Sequence, residues 1–309
     1  MKVVVAGGTG FLGRALAASL TADGHDVVVL SRSRASGGTP RTPPSSRHPR
    51  VVTWTPDRAD GAWLAELDGA AAVVNLAGES IAEKRWTAAQ KQRILESRVQ
   101  ATRTLASAIR GASTPPLVFV SGSAVGFYGP CGDDVVVEET RAGSDFLAQV
   151  CVAWETEANR AVTERTRVIC LRTGLPLERD GGALPPMLLP FTFGVGGPIG
   201  SGRQYWPWIH RGDWVALVRW AIESPAAAGP INATAPAPVT NRDFVRALGR
   251  AMHRPAFMPA PPFALRLMLG EMADALLLSG QRAMPAKAER LGFTFRYRTL
   301  PDALATIFG

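Results

Sequence analysis

The chain has 309 residues, 46% hydrophobic and 19% charged, enough to bury one large core or a large and a smaller one. Its formal net charge is +8, but the arginines are scattered with no Lys/Arg block or aromatic–basic ladder, so a nucleic-acid partner is not expected and the basic surface suits phosphorylated ligands. Lys2–Gly8 is too short for a signal peptide, and Leu265–Leu278 is broken by Arg266, Glu271 and Asp274, so neither export nor a membrane span is expected.

MKVVVAG reads as a buried strand, and Phe11–Asp23 as a helix with Leu12, Ala15, Leu16 and Leu20 at helical spacing. HDVVVLS is a second strand. The Pro-, Gly-, Ser- and Arg-rich stretch from Ser33 to Arg50 follows and reads as a mobile surface loop. VVTW (51–54) and AAVVNLAG (71–78) are strand-like, with a helix-like segment between them. A long helix is expected over Thr87–Arg110, a fifth strand at PLVFVSGS (116–123), a helix at 145–164 and a strand at RVICLRTG (167–174). Apolar strands alternating with helices predict an α/β fold, a doubly wound parallel sheet covered on both faces. From about Phe191 the chain turns Gly/Pro-rich, so residues 1–190 are expected to form the dinucleotide-binding unit, with part of the later chain returning to it. Residues 191–309 are expected to form a smaller substrate lobe. Cys131, Cys151 and Cys170 lack a CxxC spacing and the four histidines are scattered, which predicts no metal site and a reducing, cytoplasmic setting.

Gly7, Gly10 and Gly13 stand at GxxGxxG spacing between a strand and a helix. There glycines permit a tight turn, let backbone N–H groups approach a pyrophosphate, and let the helix pack on the strand. The second strand ends Leu30-Ser31-Arg32 with no carboxylate to hold a ribose 2′-OH. A hydroxyl and a guanidinium suit a 2′-phosphate, which predicts NADP(H).

GGTGFLG (7–13), NLAG (75–78) and VSGSAVGFYG (120–129) resemble the extended short-chain dehydrogenase/reductase superfamily, in its sugar-nucleotide epimerase branch. NLAGESI, WE (154–155), LRTG (171–174), GGAL (181–184) and GVGGPIGSGRQYWPWIH (194–210) are similar to its atypical YfcH-like epimerase family, whose C-terminal domain has no assigned role. The resemblance runs from Met1 to Phe308 and implies a nicotinamide cofactor and an epimerase or reductase label. It places Gly7, Thr9, Gly10, Phe11 and Leu12 in the phosphate loop, Ser31 and Arg32 at the 2′-phosphate, and Leu76, Ala77 and Gly78 beside the adenine ribose. Arg98, beside Ser97 on the next long helix, reads equally as a contact to a cofactor phosphate and as an exposed helical arginine.

The superfamily's catalytic tyrosine and lysine fall on Leu147 and Cys151 in DFLAQVCVAWE, so the usual proton relay is absent. Ser123 keeps the position of the superfamily hydroxyl and ranks first as a catalytic group. Tyr128 in GFYGP ranks second, as a proton donor or as part of a structural turn, and Cys151 a distant third. On the substrate side, Arg203, Gln204 and Trp208 are the candidates, within a glycine- and aromatic-rich segment that reads equally as a packed loop; His210 reads as structural. The expected function is hydride transfer on a nucleotide sugar or a small carbonyl or carbinol compound. The rival is a non-catalytic NADP(H) sensor or scaffold.

Overall fold

The structure is a computed structural model that describes residues 1–32 and 48–309. Most of the stretch expected as a surface loop, residues 33–47, lies outside the described residues.

Seven strands form one sheet: β1 (Lys2–Ala6), β2 (Asp26–Ser31), β3 (Arg50–Thr53), β4 (Ala72–Asn75), β5 (Val118–Ala124), β6 (Arg167–Thr173) and β7 (Gly229–Ala233). Their spatial order is β7-β6-β5-β4-β1-β2-β3, and every neighbouring pair is parallel. The valine run of β1 explains its central place. Val3, Val4 and Val5 are all fully buried, as a strand covered on both faces requires.

Alternate residues of each strand serve opposite layers. Val3, Val5, Val27 and Val29 pack with Leu16 and Leu20 of α1 (Phe11–Ala22). Val4, Val28 and Phe119 pack on the other face with Ala101, Leu105 and Ile109 of α2 (Ala88–Gly111), and Ala158 of α3 (Phe146–Asn159) joins them. Thr87 caps α2 and Asp145 caps α3, each accepting from the backbone N–H three residues on. The segment between β3 and β4 holds only a one-turn helix, Leu64–Leu67.

The seventh strand was not predicted. GPINA carries a proline and an asparagine in five residues and lacks the apolar run that marked the others. It pairs with β6, from Gly229 opposite Ile169 to Ala233 opposite Thr173. Preceding it, α4 (Arg211–Glu223) brings Trp214, Leu217 and Val218 to the same side of the sheet as α1. A separate apolar core gathers α5 (Asn241–Ala251), α6 (Leu300–Phe308), Phe191, Trp206 and Trp208 beyond the carboxyl ends of the strands. Between β1 and β4 the strand order reverses. Loops leaving those two strands diverge there and open a crevice at the sheet's carboxyl edge.

Candidate functional site

The crevice begins as a groove of about 820 Å³ over the ends of β1, β2 and β4. Gly7 turns the chain with φ +77, and a Cβ there would stand 2.6 Å from the Leu76 carbonyl carbon, so only glycine lets the two loops meet. Gly13 packs so closely beneath Gly7 that a side chain would meet its carbonyl oxygen. Gly10 caps α1 with no side-chain acceptor, and the first turn holds no acidic residue. That helix end thus has no side-chain cap among the described residues, and Gly10 itself lines the groove, as an anion-binding helix start requires. Across the groove, Asn75 fixes the turn after β4. Its side chain accepts from the Ala77 N–H at 3.1 Å and donates to Thr102 at 2.8 Å.

Of the residues predicted for the cofactor, Gly7, Thr9, Gly10, Ser31, Arg32, Leu76, Ala77 and Gly78 line this groove. Asp57, on the loop after β3, lines it too and was not singled out from the sequence. Phe11 does not line it. Its ring packs on Gly181 and Gly182, in contact with the GGAL loop, below the Arg211 guanidinium.

Leu12 and Arg98 belong to a second cavity of about 390 Å³. The two spaces meet at Arg98, whose side chain lies against Gly78, donates to the Ile94 carbonyl at 2.9 Å and stands 5.3 Å over the Trp154 ring. Burial lowers the Arg98 pKa from its ordinary value, against the weaker pull of Cys151 and Glu79. The chamber floor is Ser123 to Gly126 at the end of β5. One wall is Leu147, Val150, Cys151 and Trp154 of α3, and the facing wall is Thr173–Leu175 with Tyr205, Trp206 and Pro207. Ala275, Leu276, Ser279, Gly280 and Gln281 roof it. Leu147 and Cys151, one helical turn apart, therefore share the wall where a tyrosine and a lysine would stand. Burial pushes the Cys151 thiol up to about 11, so it stays protonated at neutral pH. The indole N–H groups of Trp154 and Trp206 have no acceptor among the described residues.

Ser123 ties the chamber to a buried polar network. Its hydroxyl donates to Oε1 of Glu155 at 2.6 Å. Arg172, on β6, donates to both Glu155 oxygens at 2.8 and 2.9 Å. Through Nη1, Arg172 also donates to the Tyr128 hydroxyl and to the Glu138 carbonyl, both at 3.0 Å. The Phe127 ring lies 3.4 Å beneath the guanidinium. Burial opposes the charge on Arg172, yet the hydrogen bonds and charge of Glu155 outweigh it and raise the pKa. Glu155 is thus fixed by two hydrogen bonds from Arg172, with Oε1 placed to accept from the serine hydroxyl.

Tyr128 was expected to offer a second proton at the crevice. Its hydroxyl instead donates to Asn232 Oδ1 at 2.7 Å and lies away from the chamber, among residues that brace Arg172. Burial pushes its phenol up to about 12, against the pull of Arg172.

The predicted substrate residues are placed elsewhere as well. Arg203 is exposed and lines neither space. The Gln204 amide donates to the Ile199 and Leu277 carbonyls, where it pins two loops together. Trp208 is fully buried in the apolar core of the outer lobe, its indole donating to the Ala237 carbonyl. His210 accepts from the Gly212 N–H at 2.9 Å and caps α4. Glu155 and Arg172 were the partners missed, although both sat in quoted phrases, WE and LRTG. Among the described residues, no cluster of three or more His, Cys, Asp or Glu could hold a metal, and no helix is long and apolar enough to cross a membrane.

Residues 3–233 match the model of the NAD dependent epimerase/dehydratase family, and residues 260–307, which include the chamber roof, match a domain of unknown function, DUF1731. An epimerase family protein of Mycobacterium leprae is 42% identical over 305 residues, covering 98% of this chain and 94% of that protein. The epimerase family protein YfhF of Bacillus subtilis is 38% identical, covering 99% and 98%. The crystal structure of human epimerase family protein SDR39U1 with NADPH superposes with a TM-score of 0.89 at 36% identity, over 99% of both chains. With a parallel sheet, a glycine loop at its switch point and full-length relatives of this kind, the chain belongs to the NAD dependent epimerase/dehydratase family.

Proposed function

We propose that the protein binds NADP(H) in the groove and catalyses reversible hydride transfer at a carbonyl or carbinol carbon in the adjoining chamber. The observation that carries this reading is the Ser123–Glu155 hydrogen bond of 2.6 Å at the chamber floor. It puts a hydroxyl backed by a carboxylate on the floor of the chamber whose α3 wall carries Leu147 and Cys151 in place of the superfamily's tyrosine and lysine.

The uncapped end of α1, the glycine turn and Arg32 fit a dinucleotide carrying a 2′-phosphate, and the human relative with NADPH supports the same choice. When bound, the nicotinamide accepts or supplies the hydride. The rest falls to this chain's own groups. In the oxidising direction the carbinol O–H bond breaks and its proton passes to Ser123 Oγ, while the serine's own proton passes to Glu155 Oε1. Reduction runs the same path backwards, from a protonated Glu155 through Ser123 to the carbonyl oxygen. Arg172 fixes the carboxylate, so Oε1 stays in line with the serine hydroxyl. Residues 1–190 supply the cofactor groove and most of the chamber, and the later chain completes the substrate side. A cytoplasmic setting suits the three unpaired thiols.

A second reading has its own observation. Leu147 and a protonated Cys151 occupy the chamber wall where the superfamily keeps its proton relay, which suits a protein that senses NADP(H) without turning over. NADPH oxidation measured with ketones, aldehydes and sugar nucleotides separates the two. Turnover that Ser123→Ala lowers supports the enzyme. Turnover indifferent to Ser123→Ala removes the Ser123–Glu155 mechanism, and tight NADPH binding without any turnover favours the sensor.

A further inference from the structure

We infer that the chamber takes a small, uncharged, largely apolar ketone, aldehyde or carbinol, and that a sugar nucleotide is not its substrate. The inference rests on the hydride-transfer reading and narrows it.

Size comes first. At about 390 Å³ the chamber sits near the lower end of ligand pockets, which run from roughly 300 to 1,000 Å³. Leu12, two residues past Gly10 of the glycine loop, lines this chamber, and the groove meets it at Arg98, so a nicotinamide ring reaching in from the groove would share this space. A nucleoside diphosphate and a hexose do not fit in what remains.

The walls argue the same way. A sugar ring presents a hydroxyl at nearly every carbon, and each one buried needs a partner. Here the helix wall offers Leu147, Val150 and a protonated thiol, and the roof presents Ala275 and Leu276. These roof residues are held down by packing, since Leu147, Leu269, Ala275 and Leu276 gather around Met272 and Val150. The apolar lid and the loss of the tyrosine thus occur at one contact. Leucine in place of tyrosine removes a donor from the wall, and a segment of unassigned role covers the result with methyl groups.

Charge completes the argument. Among the described residues, Arg98 is the one cationic residue lining the chamber, and it stands against Gly78 at the junction with the groove, on the cofactor side. No carboxylate among the described residues lines the chamber walls. No cation is left to neutralise a substrate diphosphate. The side chains that looked suited to one are engaged or remote, since Gln204 bridges two carbonyls and Arg203 is exposed outside the chamber. Of the other polar side chains in the lining, Thr173 accepts from Trp214, Ser279 donates to the Asp274 carbonyl and Gln281 to the Gly129 carbonyl, which leaves Ser123, with Glu155 behind it, and the Tyr205 hydroxyl to hold the oxygen of one carbonyl or carbinol.

The test uses the full chain saturated with NADP⁺ and calorimetric titration of acetophenone, cyclohexanone, 2-octanone and UDP-glucose. At least one ketone is expected to bind saturably while UDP-glucose does not. Leu276→Arg should weaken the ketone by roughly tenfold or more, because it puts an unpaired charge into the chamber, and should leave NADPH affinity within about twofold. Leu276→Gln is the milder second variant should the arginine disturb folding, and it is expected to weaken the ketone in the same direction. Saturable UDP-glucose binding, failure of all three ketones to bind, or ketone binding indifferent to both roof variants overturns the inference. Turnover is read separately as NADPH oxidation. A ketone that binds under the roof without oxidising NADPH leaves the chamber assignment standing and removes the hydride-transfer reading.

Discussion

The Ser123 hydroxyl lies 2.6 Å from a Glu155 carboxylate that Arg172 grips by both oxygens. Glu155 and Arg172 are 8% and 3% exposed, so neither charge is shared with bulk water. Glu155→Gln keeps the shape and strips the proton acceptor. Turnover should fall about 10²–10⁴-fold, the usual worth of general acid–base help, and Ser123→Ala should give a similar loss. The two losses should not add, because one proton path is cut in each case. Glu155→Gln also leaves Arg172 buried without its counter-charge, at a cost on the order of 3 kcal/mol, whereas Ser123→Ala should cost far less. Thermal unfolding beside steady-state rates separates the chemical from the structural share.

Cofactor choice is read at Arg32, which lines the groove at the end of β2. NADPH should bind at least tenfold tighter than NADH, about 1.4 kcal/mol. Arg32→Asp should narrow or invert the difference by repelling the 2′-phosphate. Fluorescence titration with both cofactors checks it, and equal affinities in the unmodified protein would remove the assignment.

Two glycines of the phosphate loop should respond differently. A Cβ at Gly10 meets only the Gly7 carbonyl oxygen at 3.3 Å, so Gly10→Val should fold and lose dinucleotide binding. At Gly7 the backbone is left-handed and a Cβ would collide with the Leu76 carbonyl, so Gly7→Ala should destabilise the protein itself. Circular dichroism melts with NADPH titration distinguish a lost ligand from a lost fold.

Alkaline pH should weaken the fold. Burial raises Cys151 from 9.0 to about 11 and Tyr128 from 10.0 to about 12. Between those limits the unfolded chain releases protons that the folded chain keeps, so stability falls as pH rises from about 9 towards 12. The contribution is fully present below pH 9. Cys151→Ala should flatten the lower part of that slope and leave NADPH binding unchanged. Cys151 should also resist iodoacetamide at pH 8 in the folded protein and react once it is unfolded; ready labelling of the native thiol would contradict the assigned environment.

Much of the cofactor side was legible because it is local. A valine strand, three glycines and a helix follow one another within twenty residues, and their geometry is set by steric rules that act over the same span. Ser123 was legible as the end of an apolar strand. The long-range partners were not. Glu155 and Arg172 are 17 residues apart on a helix and a strand, and nothing in the spacing says that one reaches the other. The segment YWPW shows the same limit at close range. Trp206 reaches the chamber and Trp208 only the outer core, although both carry the same ring. Gln204 and Arg203 had the right chemistry for a phosphate but the wrong address, because backbone carbonyls claimed one and solvent the other.

The network behind Ser123 also sets an order of events. Tyr128 bonds Asn232 across 104 residues, Glu138 bonds the Asn232 amide across 94, and its other oxygen takes the Lys287 amide across 149. Loops of that length close late, after the local helices and the central strands have formed. On the ribosome, the glycine loop and its first helix emerge whole while the frame around Arg172 still waits for the final quarter of the chain. A nascent chain can thus complete its dinucleotide cradle well before it can brace the group that holds Glu155 in line with Ser123.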